Sequence, residues 1–275
     1  MRDKILHPDA LGGFERYLIQ EEKSKATIEK YLRDIRCFYV FLNGRALTKE
    51  ATVAYKKHLT AQYAPASVNS MLVALNVFLR FAGAPACCVK LLRMQRQIFC
   101  SEDKELTKDE YQRLVKAAGG TQLPYVIQTL CGTGIRVSEL AYITAEAVQI
   151  GKAEVRCKNK TRVIFIPAPL KRLLKEYMKK AGPVFVTKRG APLDRSSIWR
   201  KMKALCETAG VSASKVFPHN LRHLFARTFY ALEHDIVRLA DLLGHSSINT
   251  TRIYTVETGS QHMNSLERVQ FILFT

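Results

Sequence analysis

Apolar residues fall at helical spacing along most of this chain, and one short stretch alternates as strands do. Between Ala10 and Leu42 the positions Leu11, Phe14, Tyr17 and Leu18, then Ile28, Tyr31, Leu32, Ile35, Phe38, Tyr39 and Leu42, predict two helices. Ser24 or Ala26-Thr27 marks the start of the second, and Asn43-Gly44 its stop. A third helix is expected within Lys49 to Gln62. Pro65 and Ser67 open a fourth along Val68, Met71, Leu72, Leu75, Phe78, Leu79 and Phe81, which Gly83 and Pro85 end. These elements predict a small helical bundle over residues 1 to about 92.

The pattern then fades into RMQRQIFCSEDKE, polar and without period, so residues 93–105 read as an interdomain linker. A hinge there would let two domains close around a ligand; an ordinary surface connection fits the same residues. Thr107 with Glu110 forms a capping-box signature for a helix through Tyr111, Leu114 and Val115. A helix from Pro124 to Leu130 leads to a bend at Gly132-Thr133-Gly134, which turns the chain toward Arg136. Ala153 to Pro167 carries the β signal, two short strands around Lys158-Asn159-Lys160.

Further on, Ala168 to Lys180 predicts a basic amphipathic helix, Pro183 to Val186 a short strand, and Lys188-Arg189-Gly190 a tight turn. Ser196 to Ala209 predicts a helix with Ile198, Trp199, Met202 and Leu205 on its inner side. Arg195, Arg200, Lys201 and Lys203 remain available there for the phosphates of a polyanion, or as a solvated face. Leu221, Leu224, Phe225 and Phe229 mark a buried stripe on a helix that Pro218 suits as a first-turn residue. Ile236 to Leu243 form another, which Gly244 can end in a left-handed cap. Ser246 and Ser247 offer N-cap oxygens to a third short helix bearing Tyr254. The tail, about residues 262–275, has helical spacing again.

Composition bounds the function. The 275 residues are 47% hydrophobic, enough for the cores of two domains. A net charge of +19 and a pI near 9.8, with basic excess in both halves, is an electrostatic footprint for a polyanion, nucleic acid being the commonest. Seven cysteines show no zinc-ligand spacing and are expected as reduced thiols in a cytoplasmic protein. The start, MRDKILHPDA, holds no apolar run of signal or membrane-spanning length.

Candidate chemistry concentrates between Phe217 and Thr255. His219 and Arg222 stand three apart near a helix start, where exposed N–H groups favour anions. His245 follows Gly244, and Tyr254 lies nine residues beyond. Upstream, LCGTGIRVSEL contains Arg136 and, three residues on, Glu139, which can pair with it or stay solvated. This order resembles the tyrosine recombinases, the phage-integrase family. Thr133 to Leu140 matches that family's T-G-x-R-x-S-E-L with its first Arg at Arg136; His219 and Arg222 fill its His-x-x-Arg, Leu243-Gly244-His245 its L-G-H, and Tyr254 the nucleophile position. The family's catalytic Lys sits in a hairpin turn of the form G-K-G-N-K-x-R. Here Cys157-Lys158-Asn159-Lys160-Thr161-Arg162 is one residue short and lacks both glycines, so Lys158 aligns best and Lys160 stays open.

The resemblance implies a mainly α fold with a small β-sheet: an N-terminal helical core-binding (SAM-like) domain and, over residues 106–275, a mixed α/β tyrosine-recombinase catalytic domain. It also implies a site-specific DNA recombinase that works without metal or other cofactor, on double-stranded DNA, as a homo-tetramer on two duplexes passing through a Holliday junction. In that scheme Tyr254 attacks phosphorus, Arg136, Arg222 and His245 meet the charge on the phosphate oxygens, His219 is the candidate base and Lys158 the general acid. The tail would dock into a neighbouring protomer, or onto its own domain. Three alternatives compete: a type IB topoisomerase-like relaxing enzyme, a non-catalytic DNA-binding regulator on the same fold, and a metallohydrolase using His219 and His223 at i,i+4. The last lacks the Glu of H-E-x-x-H and places Arg222 beside any cation.

Overall fold

The computed structural model describes residues 10–93, 104–157, 160–178, 181–245 and 247–254. The chain divides into two compact units, Met1–Arg96 and Gln97–Thr275. Among the described residues it is mainly helical with one two-stranded sheet.

The first unit is built from α1 (Ala10–Gln20), α2 (Lys25–Leu42), α3 (Lys49–Gln62) and α4 (Pro65–Phe81). Ser24 caps α2 by accepting from the Thr27 N–H, which decides the start that the pattern alone left between Ser24 and Thr27. Asn43 ends α2 in the left-handed region at φ 45°. Phe14, Leu18, Ile35, Phe38, Leu72 and Phe78 are fully buried, and the Phe14 ring meets Phe78 edge-on at 5.2 Å. Two turns apart on α4, Asn69 and Asn76 each pair an amide with both backbone groups of a later residue, Leu92 and Val89 respectively. Those four bonds tie the outgoing chain to α4.

The second unit begins with α5 (Lys108–Ala117), whose capping box between Thr107 and Glu110 is complete. Next come α6 (Leu123–Thr133), α7 (Ala145–Ile150), β1 (Lys152–Cys157), β2 (Lys160–Phe165) and α8 (Ala168–Tyr177). The chain continues with α9 (Arg195–Ala204), α10 (Cys206–Ala209), α11 (Pro218–Glu233), α12 (Ile236–Leu243), α13 (Ile248–Thr251) and a 3-10 turn, Arg252–Tyr254. The antiparallel hairpin pairs Cys157 with Lys160, so Lys160 belongs to β2 rather than to the turn. The main core runs from Leu114 and Ile127 through Val155, Ile164 and Leu174 to Leu221. A satellite core of Ala226, Leu239, Leu243 and Tyr254 lies between α11, α12 and the final turn.

Several local expectations are corrected. Helix α6 does not stop at Leu130: it runs to Thr133, whose hydroxyl bonds back to the Thr129 carbonyl, and Gly134 alone makes the turn at φ 63°. Helix α8 ends at Tyr177, where Met178 turns extended. Pro183 to Val186 forms only isolated bridges, Thr144 to Pro183 and Val186 to Pro192. The helix expected over Ser196 to Ala209 breaks at Leu205 into α9 and α10. Trp199 is exposed, not inward, because Ile198 and Met202 already define the buried stripe and Trp199 lies a quarter-turn away. Lys158, Ser246 and the tail lie outside the described residues.

Candidate active site

Helix α11 opens at Pro218, whose missing N–H costs nothing in a first turn. His219, next in line, is exposed, whereas Arg222 is only 1% exposed. The two therefore do not share one open face as their spacing suggested. Arg222 is drawn inward because helix ends leave carbonyls in need of donors. Its Nη1 donates to the carbonyl of Gly134, the cap of α6, at 2.7 Å, and its Nη2 to the carbonyl of Leu243, the last residue of α12, also at 2.7 Å. A guanidinium at two helix C-termini also complements their dipoles. Nε is buried and has no hydrogen-bond partner among the described residues.

Arg136 follows Gly134 by two residues and presents a half-exposed guanidinium. Glu139 holds it twice: Oε2 accepts from the Arg136 backbone N–H at 2.7 Å, and Oε1 from Nη1 at 3.2 Å. Glu139 is 5% exposed, so the solvated-pair alternative is excluded. Arg162 of β2 reaches the same carboxylate, Nη2 to Oε2 at 2.5 Å. Burial by itself would raise the Glu139 pKa, but the Arg136 N–H and the two guanidiniums outweigh it and hold the carboxyl below its usual range.

Tyr254 is 3% exposed and packs in the satellite core. It lies close enough to Arg222 to favour the charged form of that guanidinium. Two imidazoles flank the phenol ring: His223 edge-on at 4.7 Å and His245 stacked at 5.9 Å. His219 lies on the far side of His223, 4.7 Å from its ring, so the imidazole against the phenol is His223 and not the expected His219. The i,i+4 spacing that suggested a metal pair instead sets His223 one turn along α11, facing the 3-10 turn. Among the described residues no three His, Cys, Asp or Glu side chains gather as a metal site.

His245 is fixed at both nitrogens. Nε2 lies 2.9 Å from Nη2 of Arg222 and Nδ1 lies 2.9 Å from the hydroxyl of the fully buried Thr251. Arginine has no acceptor, so Nε2 accepts and the proton sits on Nδ1, toward Thr251. In this tautomer Nε2 has no proton to give to a phosphate. Burial first, then the guanidiniums of Arg222, Arg136 and Arg162, bring the His245 pKa down to about 4. Burial, then His219 and Arg222, bring His223 to about 4 as well. His219 is also lowered, by desolvation and then by Arg222, Arg136 and Arg195. All three imidazoles are therefore neutral near pH 7.

The candidate phosphate contacts differ among themselves. Arg195, Arg200 and Lys201 are exposed on α9. Lys203 is tied down: its ammonium donates to the Ala213 carbonyl and lies 5.6 Å from the Trp199 ring centroid. Lys158 lies outside the described residues, as does the side chain of Lys160. Arg162, His223 and Thr251 had no place in the expected catalytic set. Arg162 did carry a signal, since alternation along β2 puts it on the face of buried Ile164 and Ile166, where a charge needs a partner.

A buried phenol near a buried guanidinium, with a second, half-exposed guanidinium and neutral imidazoles, makes this a site for an anion with a tyrosine at its centre. The catalytic-domain model of the phage integrase family matches residues 104–260, more than half of the chain, and the model for the phage integrase N-terminal SAM-like domain matches residues 11–84. Tyrosine recombinase XerA of Pyrococcus furiosus is 30% identical over 99% of this chain and 98% of its own length. Tyrosine recombinase XerD of Halalkalibacterium halodurans is 28% identical over 86% of this chain and 89% of its own. The crystal structure of XerA recombinase superposes with a TM-score of 0.54 at 27% identity, covering 96% of this chain and 99% of that one. A lambda integrase tetramer bound to a Holliday junction gives 0.73 at 21% identity, covering 92% and 78%, a likeness of fold. The chain belongs to the phage integrase family and is a tyrosine recombinase, which favours that reading over a topoisomerase or a non-catalytic regulator. No helix among the described residues is long and apolar enough to cross a membrane.

Proposed function

We propose that the chain is a cytoplasmic site-specific recombinase that breaks and rejoins DNA through a 3′-phosphotyrosyl intermediate on Tyr254. The Tyr254 oxygen attacks the scissile phosphorus, a P–O bond to tyrosine forms, and the bond to the 5′-oxygen breaks. The phenol proton passes to the His219–His223 imidazole pair, and Lys158, or Lys160, supplies the proton to the leaving 5′-oxygen. Arg136 and Arg222 meet the two non-bridging oxygens, whose charge grows in the transition state. When Arg222 turns to phosphate, Nε2 of His245 is freed, and it donates to the phosphate once the ring proton moves from Nδ1 to Nε2 or the ring takes up a second proton. The phosphotyrosyl ester conserves the energy of the broken bond, so a different 5′-hydroxyl reverses the step without ATP or metal. Exchange of strands between two duplexes then calls for four protomers and a Holliday junction.

The observation that carries this reading is the gathering of His223 and His245 against the Tyr254 ring, with His245 in turn 2.9 Å from the buried Arg222 guanidinium. A phosphate on that guanidinium lies next to the nucleophile. The test is a nicked suicide duplex, from a sequence that the protein selects out of a random pool. Wild type should trap a covalent adduct. Tyr254→Phe should bind the duplex and trap none; an adduct on Tyr254→Phe would mean that another residue attacks. Arg136→Ala and Arg222→Ala should bind and cleave more slowly. Size analysis of uncleaved complexes with two duplexes should show four protomers, and a stable monomer on one duplex would exclude the paired mechanism.

A further inference from the structure

Arg162 is a half-buried cation with no part in the chemistry above. Its guanidinium reaches two elements at once. Nη2 donates to Glu139, the carboxylate that holds Arg136, and Nη1 donates to the Leu242 carbonyl at 2.6 Å. The next carbonyl along α12, that of Leu243, takes Arg222, and His245 follows two residues later. One side chain thus joins the support of Arg136 to the helix end that carries His245. It does so from β2, the strand that starts just after Lys158 and Asn159.

We infer that Arg162 is a positioning residue, whose forked guanidinium fixes Arg136 and His245 relative to each other before DNA arrives. The inference rests on the site proposed above. Neutralising Glu139 is not the whole of its task, because a Lys would do that and Arg136 already does so in part. What only a fork supplies is two donors in fixed directions, one to a carboxylate and one to a carbonyl. An ammonium concentrates its donors at one point and reaches one of the two. Geometry of this kind governs rate rather than binding, since displacement of a reacting group by about 1 Å costs about 100-fold.

The test compares Arg162→Lys, Arg162→Met, Glu139→Gln and the Met/Gln double variant on the suicide duplex. Arg162→Lys should bind DNA as wild type does, yet form adduct about 100-fold more slowly in a single turnover. The double variant should be no slower than the slower single, because both changes cut one connection. An Arg162→Lys rate equal to wild type, or losses that multiply in the double variant, would overturn the inference. If Arg162→Met fails to fold, the Lys variant carries the comparison, with circular dichroism as the check. A wild type that forms no adduct sinks the catalytic reading instead. Imidazole nitrogen NMR on the DNA-free protein then decides the coupling: Arg162→Lys should lose the single Nδ1–H form of His245, and an unchanged spectrum would overturn it.

Discussion

Gly244 lies directly against the Arg162 side chain: a Cβ added to it would stand 2.5 Å from Cδ of Arg162. The same residue has φ 65°, where side chains are strained for a separate reason. Two demands therefore meet at the turn that delivers His245, one from the backbone and one from the neighbour beneath it.

Gly244→Ala should cost folding stability on both counts, with the backbone part alone about 1–2 kcal/mol. Gly210 has φ 60° but open space around it, so Gly210→Ala carries only the backbone part. Urea unfolding of the two variants separates the contributions. Gly244→Ala should be clearly the less stable and should slow adduct formation as well. Equal midpoints would show that Arg162 moves aside freely.

Thr251→Val should disturb the site without touching DNA. The hydroxyl is the acceptor for the Nδ1 proton of His245 in a fully buried position. Its loss leaves a donor unpaired, at about 1–3 kcal/mol. Thr251→Ser keeps the hydroxyl and should stay within a few-fold of wild-type cleavage. If valine and serine cleave alike, the His245 ring is held by Arg222 alone.

Stability should fall as solutions turn acidic, and the imidazoles set where. His223 and His245 titrate near 4 in the folded chain against 6.5 ordinarily. Between those values the unfolded chain binds more protons, so unfolding free energy rises with pH there. It is complete above about pH 6.5 and drains as pH drops toward about 4. Glu139, held below its usual value, adds a further loss only below its ordinary range. Denaturation between pH 4.5 and 8 should show this slope, and His223→Asn should flatten it by about one proton. A His223→Asn slope identical to wild type would mean that His223 is protonated in the fold.

Local signals in this chain were legible because their partners are near in sequence. Thr107 and Glu110 cap α5 three residues apart, and Gly244 ends α12 beside it. Arg222, His245 and Tyr254 gather, and Arg136 stands two residues beyond the Gly134 carbonyl that Arg222 holds. What could not be read came from distant partners. Arg222 looks like a surface cation of an amphipathic helix until the ends of α6 and α12 arrive with their free carbonyls. Arg162 gains its meaning from residues 23 and 80 positions away. Pro183 to Val186 has strand-like composition but meets only single bridging partners, so no ladder forms. Trp199 has an apolar ring at helical spacing, yet Ile198 and Met202 already fill the buried stripe of α9 and leave it exposed.

DNA affinity should weaken steeply with salt, because each phosphate neutralised by Lys or Arg releases counterions. The net charge of +19 makes the steep slope expected, and the contrast among neighbours on α9 makes it informative. Arg200 and Lys201 are exposed, so replacing either by Ala should lower the slope of log affinity against log salt by about one. The Lys203 ammonium is already bonded to the Ala213 carbonyl and sits over Trp199, so Lys203→Ala should leave the slope nearly unchanged and cost some stability instead. Binding isotherms from about 50 to 200 mM salt give all three slopes. A loss of slope in Lys203→Ala equal to that in Lys201→Ala would mean that Lys203 leaves its carbonyl for phosphate when DNA binds. A larger loss for Lys201→Ala than for Lys203→Ala would put phosphate against the Lys201 side of α9, the helix whose first residue, Arg195, already bears on His219 in the active site.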